Sequence, residues 1–286
     1  MSFAMLSWGV AWTNAKIVSE YFSYSNLIFF RYLSCFLFLF FILYYKGRKI
    51  HFPSLIVSIN IILISFLYYI YNISFFLGTN IGNAGMGGVF VTTTNPIVTF
   101  SIISLLNRSI EKFQIIGVCL GALGGYIILN IFQLGIYSLF IGANIYFLIC
   151  SITWGLITVV MTYGQRNYDS ISYIILCYLV TAIISVFFIN PSEILDITRY
   201  DFRFIINFFF VSIGAMCFGT SVYMYSAPRL GAVQTSVFIF TVPFIAMSTA
   251  YIVLGESLKP EVVIGGILGI LAVYIVNSNK SNGKAV

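Results

Sequence analysis

Apolar residues come in long runs along this chain, and polar residues gather between them. "NLIFFRYLSCFLFLFFILYY" (26–45) and "SISYIILCYLVTAIISVFFI" (170–189) are two such runs. A stretch of about 20 apolar residues matches the bilayer hydrocarbon core as a helix. The pattern predicts ten helices, over 3–20, 25–45, 54–77, 83–106, 113–131, 137–162, 170–189, 203–225, 231–254 and 261–278. The breaks carry helix-ending chemistry. "YKGRKIHFP" (45–53) is basic and ends in proline, "LNRSIEKF" (106–113) is charged, and "NPSEILDITRYD" (190–201) is the longest polar connection.

Composition agrees with burial in lipid: the 286 residues are 60% hydrophobic and only 8% charged. That is too little charge to cover a water-facing surface, since soluble domains carry about 25%. The charges are also sorted. With the N-terminus in the cytoplasm, the cytoplasmic segments hold Lys46, Arg48, Lys49, Arg108, Lys112, Arg166, Arg229, Lys280 and Lys284. Only Glu111 and Asp169 oppose them. The other side holds Arg199, Arg203 and Lys259 against six acids, Glu20, Glu193, Asp196, Asp201, Glu256 and Glu261. This positive-inside bias predicts both termini inside, as in an integral protein of a bacterial inner membrane. The first helix begins almost at Met1 and reads as a retained span, not a cleaved leader. The net charge of +6 forms no groove-sized cluster, so no nucleic-acid partner is expected. The five cysteines lie inside apolar runs without a C-x-x-C pair and read as buried free thiols.

The second half echoes the first. "SWG" (7–9) has a counterpart in "TWG" (153–155), and "VFVTTTNPIVTF" (89–100) in "VFIFTVPFIAMS" (237–248), with Pro96 and Pro243 matched. Gly117, Gly121 and Tyr126 correspond to Gly265, Gly269 and Tyr274 at one constant offset. This predicts two five-helix repeats, 1–131 and 132–286, in one all-α membrane domain. Five is odd, so the second repeat enters the membrane the other way up. Inverted repeats of this kind underlie many secondary transporters.

These residues resemble the drug/metabolite transporter superfamily, in its ten-helix EamA-domain branch. "GAVQTSVFIFTVPFIAMSTAYIVLGESLKPEVVIGGILGILAVYIV" (231–276) carries the small-residue start, mid-helix proline, Gly-Glu turn and glycine-rich last helix. "WGVAWTNAK" (8–16) and "FFRY" (29–32) match the opening. The first half departs from the pattern: Arg108 stands where Glu256 stands in the second. The resemblance implies a transporter of small metabolites, with a cavity formed by helices 1–4 and 6–9 and amino-acid or metabolite export favoured.

Candidate pathway residues follow from polarity inside apolar runs. Lys16 and Arg31 fall in the outer half of the bilayer, where charge is costly and marks function. Lys16 alternatively pairs with Glu20 or reaches the interface, and Arg31 alternatively bonds to backbone carbonyls at a broken helix. Tyr68 and Asn72 share a helical face with Phe75 and Thr79. Asn144 recurs with Ser151 and Thr158 every seven residues, and Tyr223, Gln234 and the "TTTN" run ending in Asn95 add further polar positions. Each such group either lines a cavity or joins helices at about 0.6 kcal/mol per bond. Trp8 and Trp154, matched by the repeat, flank substrate or anchor the interface. Pro96 and Pro243 each free the carbonyl four residues earlier and suit a hinge. The glycine pairs read as close helix contacts. No P-loop, metal-spaced His/Cys set or catalytic triad is legible, so neither enzyme activity, metal nor cofactor is expected. The expected function is a secondary transporter of a small organic solute, an amino acid foremost, by alternating access. A lipid flippase and a non-transporting scaffold or receptor-like protein are the alternatives. A homodimer stays open.

Overall fold

The computed structural model describes residues 1–107, 111–128, 131–135, 137, 140–257 and 260–278. Arg108, Lys259, Lys280 and Lys284 lie outside the described residues. Among those described there are helices and no strands. The long ones are α1 (Ser2–Val18), α2 (Tyr24–Tyr45), α3 (Leu55–Ile81), α4 (Ala84–Asn107), α5 (Lys112–Ile128), α6 (Asn144–Gly164), α7 (Ser170–Val186), α8 (Phe202–Leu230), α9 (Ala232–Leu254) and α10 (Pro260–Ser278). Six of these, α2, α3, α4, α6, α8 and α9, are long and apolar enough to cross a membrane. The apolar stretches of α5, α7 and α10 are shorter. In α1, Thr13, Asn14 and Lys16 interrupt the apolar run.

Two boundaries differ most from the sequence expectation. The sixth helix starts at Asn144, not 137, because Gly142 turns the chain in the left-handed region (φ 58°). The eighth runs to Leu230, and its middle, Phe210–Thr220, is π-helical.

Helix packing follows the repeat. Helix α3 packs on α6 and α7, while its counterpart α8 packs on α1 and α2. Helix α4 packs on α6, while α9 packs on α1. Counterparts that touch run antiparallel. Asn26 of α2 meets Asn190 beyond the end of α7, whereas Tyr32 meets Tyr178 further back along α7. Trp8 meets Trp154 while Trp12 meets Phe147 across α1 and α6. Gly117 faces Val276 while Gly124 faces Gly265 across α5 and α10.

Charge separates along the bundle. At one end the loops carrying Arg48, His51, Arg166 and Arg229 come together: His51 N–H donates to Ser172 Oγ (3.0 Å) and Arg229 to Ser170 Oγ (3.1 Å). At the other end Arg203 pairs with Glu20 (3.3 Å), Tyr21 donates to Asp201 (3.0 Å), and Glu193 accepts from Ser23 N–H (2.9 Å).

Asp169 caps α7 by accepting from Ser172 N–H at 2.7 Å. Burial pushes its carboxyl up, but the Ser172 bonds together with the charges of His51 and Arg48 outweigh this and hold it below the usual value. The cap's contribution is therefore full above the unfolded pKa of about 3.9 and fades as pH falls through the lower folded value. Asp169→Ala is expected to cost about 1 kcal/mol at pH 7. Thermal unfolding of both proteins checks this: the gap closes in acid if the cap is responsible.

Candidate functional site

The three tryptophans of the chain, Trp8, Trp12 and Trp154, meet at the centre of the bundle. Trp8 and Trp154 come from counterpart helices and pack edge to face with ring centroids 5.0 Å apart. Trp12 packs on Phe75 at 4.7 Å, and Tyr71 on Trp154 at 4.8 Å. Gly88 lets α9 and Trp12 come close, because a methyl there would fall 2.6 Å from Ala246 Cβ and 3.1 Å from the indole. Between these rings lies a cavity of about 40 Å³. By that measure one water needs roughly 10–15 Å³, so the cavity holds a few waters or the end of a small solute.

One charge reaches the cavity wall among the described residues. Arg31, on α2, is only 5% exposed and lines the cavity. Its Nε donates to Val211 O (3.1 Å) and its Nη1 to Asn72 Oδ1 (2.7 Å). Its guanidinium lies 5.3 Å from the Phe75 ring and 5.8 Å from the Phe76 ring. A guanidinium has five N–H donors, so three are left without a protein acceptor among the described residues. Among the described residues no carboxylate lines the cavity, and the ion pairs all lie elsewhere.

The π-helical part of α8 sets this corner. Its carbonyls accept from side chains on three other helices: Val211 from Arg31, Ala215 from Trp8 Nε1 (3.1 Å), and Met216 from the Tyr178 hydroxyl (2.9 Å). Asn72 holds Arg31 from behind. Its Nδ2 donates to the Tyr32 hydroxyl (2.7 Å) and to Tyr68 O (2.8 Å), which fixes the amide with its oxygen toward the guanidinium.

The other sequence candidates divide by place. Trp8, Arg31, Asn95 and Trp154 line the cavity. Tyr68, Asn72 and Tyr223 stand one layer back. Tyr223 packs tilted against Trp8 at 5.0 Å and shares a hydrogen bond with Thr158 (2.9 Å), and the Tyr68 hydroxyl meets Met224 Sδ. Asn144 opens α6 half-buried, and Gln234 is buried near the start of α9; neither lines the cavity. Helix α7, expected among the lining helices, packs behind the site on α2 and α3. Pro96 sits inside an α4 that stays helical, whereas Pro243 follows a tighter 3₁₀ turn, Phe238–Thr241. The hydroxyls of Thr92, Thr93 and Thr94 donate to Gly88, Val89 and Phe90, one turn before the carbonyl that Pro96 frees.

Lys16 does not pair with Glu20, which pairs with Arg203 instead. Lys16 Nζ donates to Gly82 O (2.7 Å) and lies 3.9 Å from Glu256. Glu256 in turn accepts from Ala84 N–H (2.9 Å) and Gly85 N–H (3.0 Å) at the start of α4. A carboxylate suits the positive end of a helix dipole. This cluster ties the ends of α1 and α9 to the start of α4, away from the cavity.

Thr92, from the "TTTN" run, also lines the cavity, as do Trp12 and Tyr71, which are not among the sequence candidates. Trp12 was detectable: it lies four residues from Trp8, on the same helix face.

A search of curated proteins finds no match. A solved crystal structure superposes on 99% of this chain and 96% of its own, with a TM-score of 0.68 at 13% identity, which is a likeness of fold. The model of the EamA-like transporter family matches twice, over residues 1–130 and 141–278. The two matches cover nearly all of the chain, which belongs to the EamA-like transporter family.

Proposed function

We propose that this membrane transporter carries a small amphipathic solute with a carboxylate, an amino acid or close relative, by alternating access through the central cavity. The observation that carries the reading is Arg31: a buried cation in the cavity wall with unused donors and no acid beside it. An uncompensated charge at this depth is costly. A carboxylate offsets that cost and accepts two charge-assisted bonds from a guanidinium. The aromatic walls suit the solute's apolar part.

In this reading the chain crosses the membrane ten times, with halves 1–131 and 132–286 inverted. The antiparallel packing of counterpart helices supports the inversion. The gathering of basic loops at one end supports a cytoplasmic position for that end and for both termini. The cluster around Lys16 and Glu256 then closes the outer end of α1, α4 and α9, which favours loading from inside and export. A scaffold needs no buried cavity, and a cavity closed in by aromatic rings does not suit a lipid's length.

Purified protein in liposomes tests the reading. Influx or counterflow of labelled L-amino acids from a panel of all twenty is the expected result. No flux for any member, with folded protein, sinks the amino-acid version.

A further inference from the structure

An amino acid brings a second charge into the membrane, and the cavity wall holds no acid for it among the described residues. What the wall does hold is a face of α4 bearing Thr92 and Asn95. Pro96 has no N–H, so the Thr92 carbonyl lacks its helical donor, and no described side chain donates to it. Asn95 is 1% exposed, and its amide has one weak contact, from Thr99 Oγ1 to Oδ1 at 3.5 Å. The Thr92 hydroxyl gives its proton to Gly88 O at 2.5 Å, so its lone pairs are left over. Three oxygens on one helical turn are thus poor in donors.

The repeat supplies a comparison within the molecule. In α9, Pro243 frees the Ile239 carbonyl in the same way, and Ile239 also lines the cavity. There the 3₁₀ turn brings Val242 N–H onto that carbonyl. One half closes its proline gap with its own backbone. In the other, α4 stays α-helical through Pro96 and shows no such tightened turn.

We propose that this α4 face is the subsite for the substrate's amino group, held as an ammonium by the Thr92 carbonyl and Asn95 Oδ1 with the tryptophan faces beside it. The proposal rests on the carboxylate reading of Arg31. The site then reads a zwitterion from two walls: α2 supplies donors for the anionic end, and α4 supplies acceptors for the cationic end. Aromatic rings attract an ammonium without an acid, and backbone carbonyls that lack a helical donor serve as cation ligands at the unwound helices of other transporters. The class of substrate is a neutral α-amino acid with a free amine.

All three tryptophans line this cavity, so tryptophan emission reports on it directly. Purified full-length protein is titrated with three mixtures: L-alanine, L-valine, L-leucine, L-methionine and L-phenylalanine; the corresponding 2-oxo acids; and the corresponding amino-acid amides. The amino acids are expected to give a saturable change, and the 2-oxo acids to need at least about tenfold higher concentration, since buried acceptors are left unpaired. Asn95→Leu is expected to remove most of that preference while leaving binding of the 2-oxo acids. Equal binding of amino and 2-oxo acids, or an unchanged preference in Asn95→Leu, overturns the ammonium subsite and leaves the carboxylate reading standing. Binding of the amides as tight as that of the amino acids overturns the carboxylate reading instead. No response to any mixture overturns both.

Discussion

Arg31→Gln is expected to abolish solute flux in liposomes while the protein stays folded. The guanidinium is the one described charge in the cavity wall, and three of its donors have no protein acceptor. Removing the partner of a buried, hydrogen-bonded charge costs roughly 2–5 kcal/mol, which lowers substrate affinity by a factor of about 30 to about 5,000. The fold has less to lose. Glutamine can still donate to Asn72 or to Val211 O, and a lone cation is removed from a low-dielectric interior. Arg31→Lys is expected to recover only part of the flux. An ammonium is a point charge and cannot hold Val211, Asn72 and a carboxylate with the geometry of a planar fork. Flux measured beside a thermal unfolding curve separates the two effects. Normal flux in Arg31→Gln would remove this residue from the pathway.

The second large effect is structural. Gly121 and Gly269, matched by the repeat, both press on Phe240, the residue in the turn before Pro243. A methyl at Gly269 would fall on the Phe240 carbonyl oxygen, and backbone cannot swing aside as a side chain does. Helix association in lipid depends on such close packing, because the tails are as apolar as the helices. Gly269→Ala is therefore expected to destabilise the protein by about 1–3 kcal/mol. Gly214 provides the control, since the nearest atom to a methyl there is 3.9 Å away. Gly214→Ala is expected to stay within about 0.5 kcal/mol of the parent. Thermal unfolding in detergent compares them, and equal stability of the two variants would remove the packing account of these glycines.

Much of the architecture was legible because lipid imposes a coarse rule. The segment read as 25–45 is the helix Tyr24–Tyr45, and the run starting at 170 is Ser170–Val186. The proline and tryptophan pairs gave the repeat its register. The site was legible only where polarity stands out against an apolar run. Arg31 stands out, and so does Asn95. Asn72 shares a helix face with Phe75, yet one side chain enters the cavity wall while the other turns behind it to hold Arg31. Sequence spacing does not separate those two outcomes. Tyr71 was hidden by abundance, because 18% of the chain is aromatic and the core uses the same residues. The partner of Lys16 lies 240 positions away at Glu256 and was masked by the nearer Glu20. The π-helical stretch of α8, whose carbonyls orient Trp8 and Arg31, carries no proline, and its polar residues Ser212 and Thr220 do not mark it as π-helical.

The central claim is that the cavity is reached from both membrane faces in turn. Val91 lines it with a small apolar side chain outside the proposed charge contacts. With the five native cysteines replaced, Val91→Cys is exposed to a membrane-impermeant thiol reagent in right-side-out and in inside-out vesicles. The account predicts labelling in both preparations, slowed in each by the transported solute. Protection in both, or labelling from one face alone with or without solute, would contradict it.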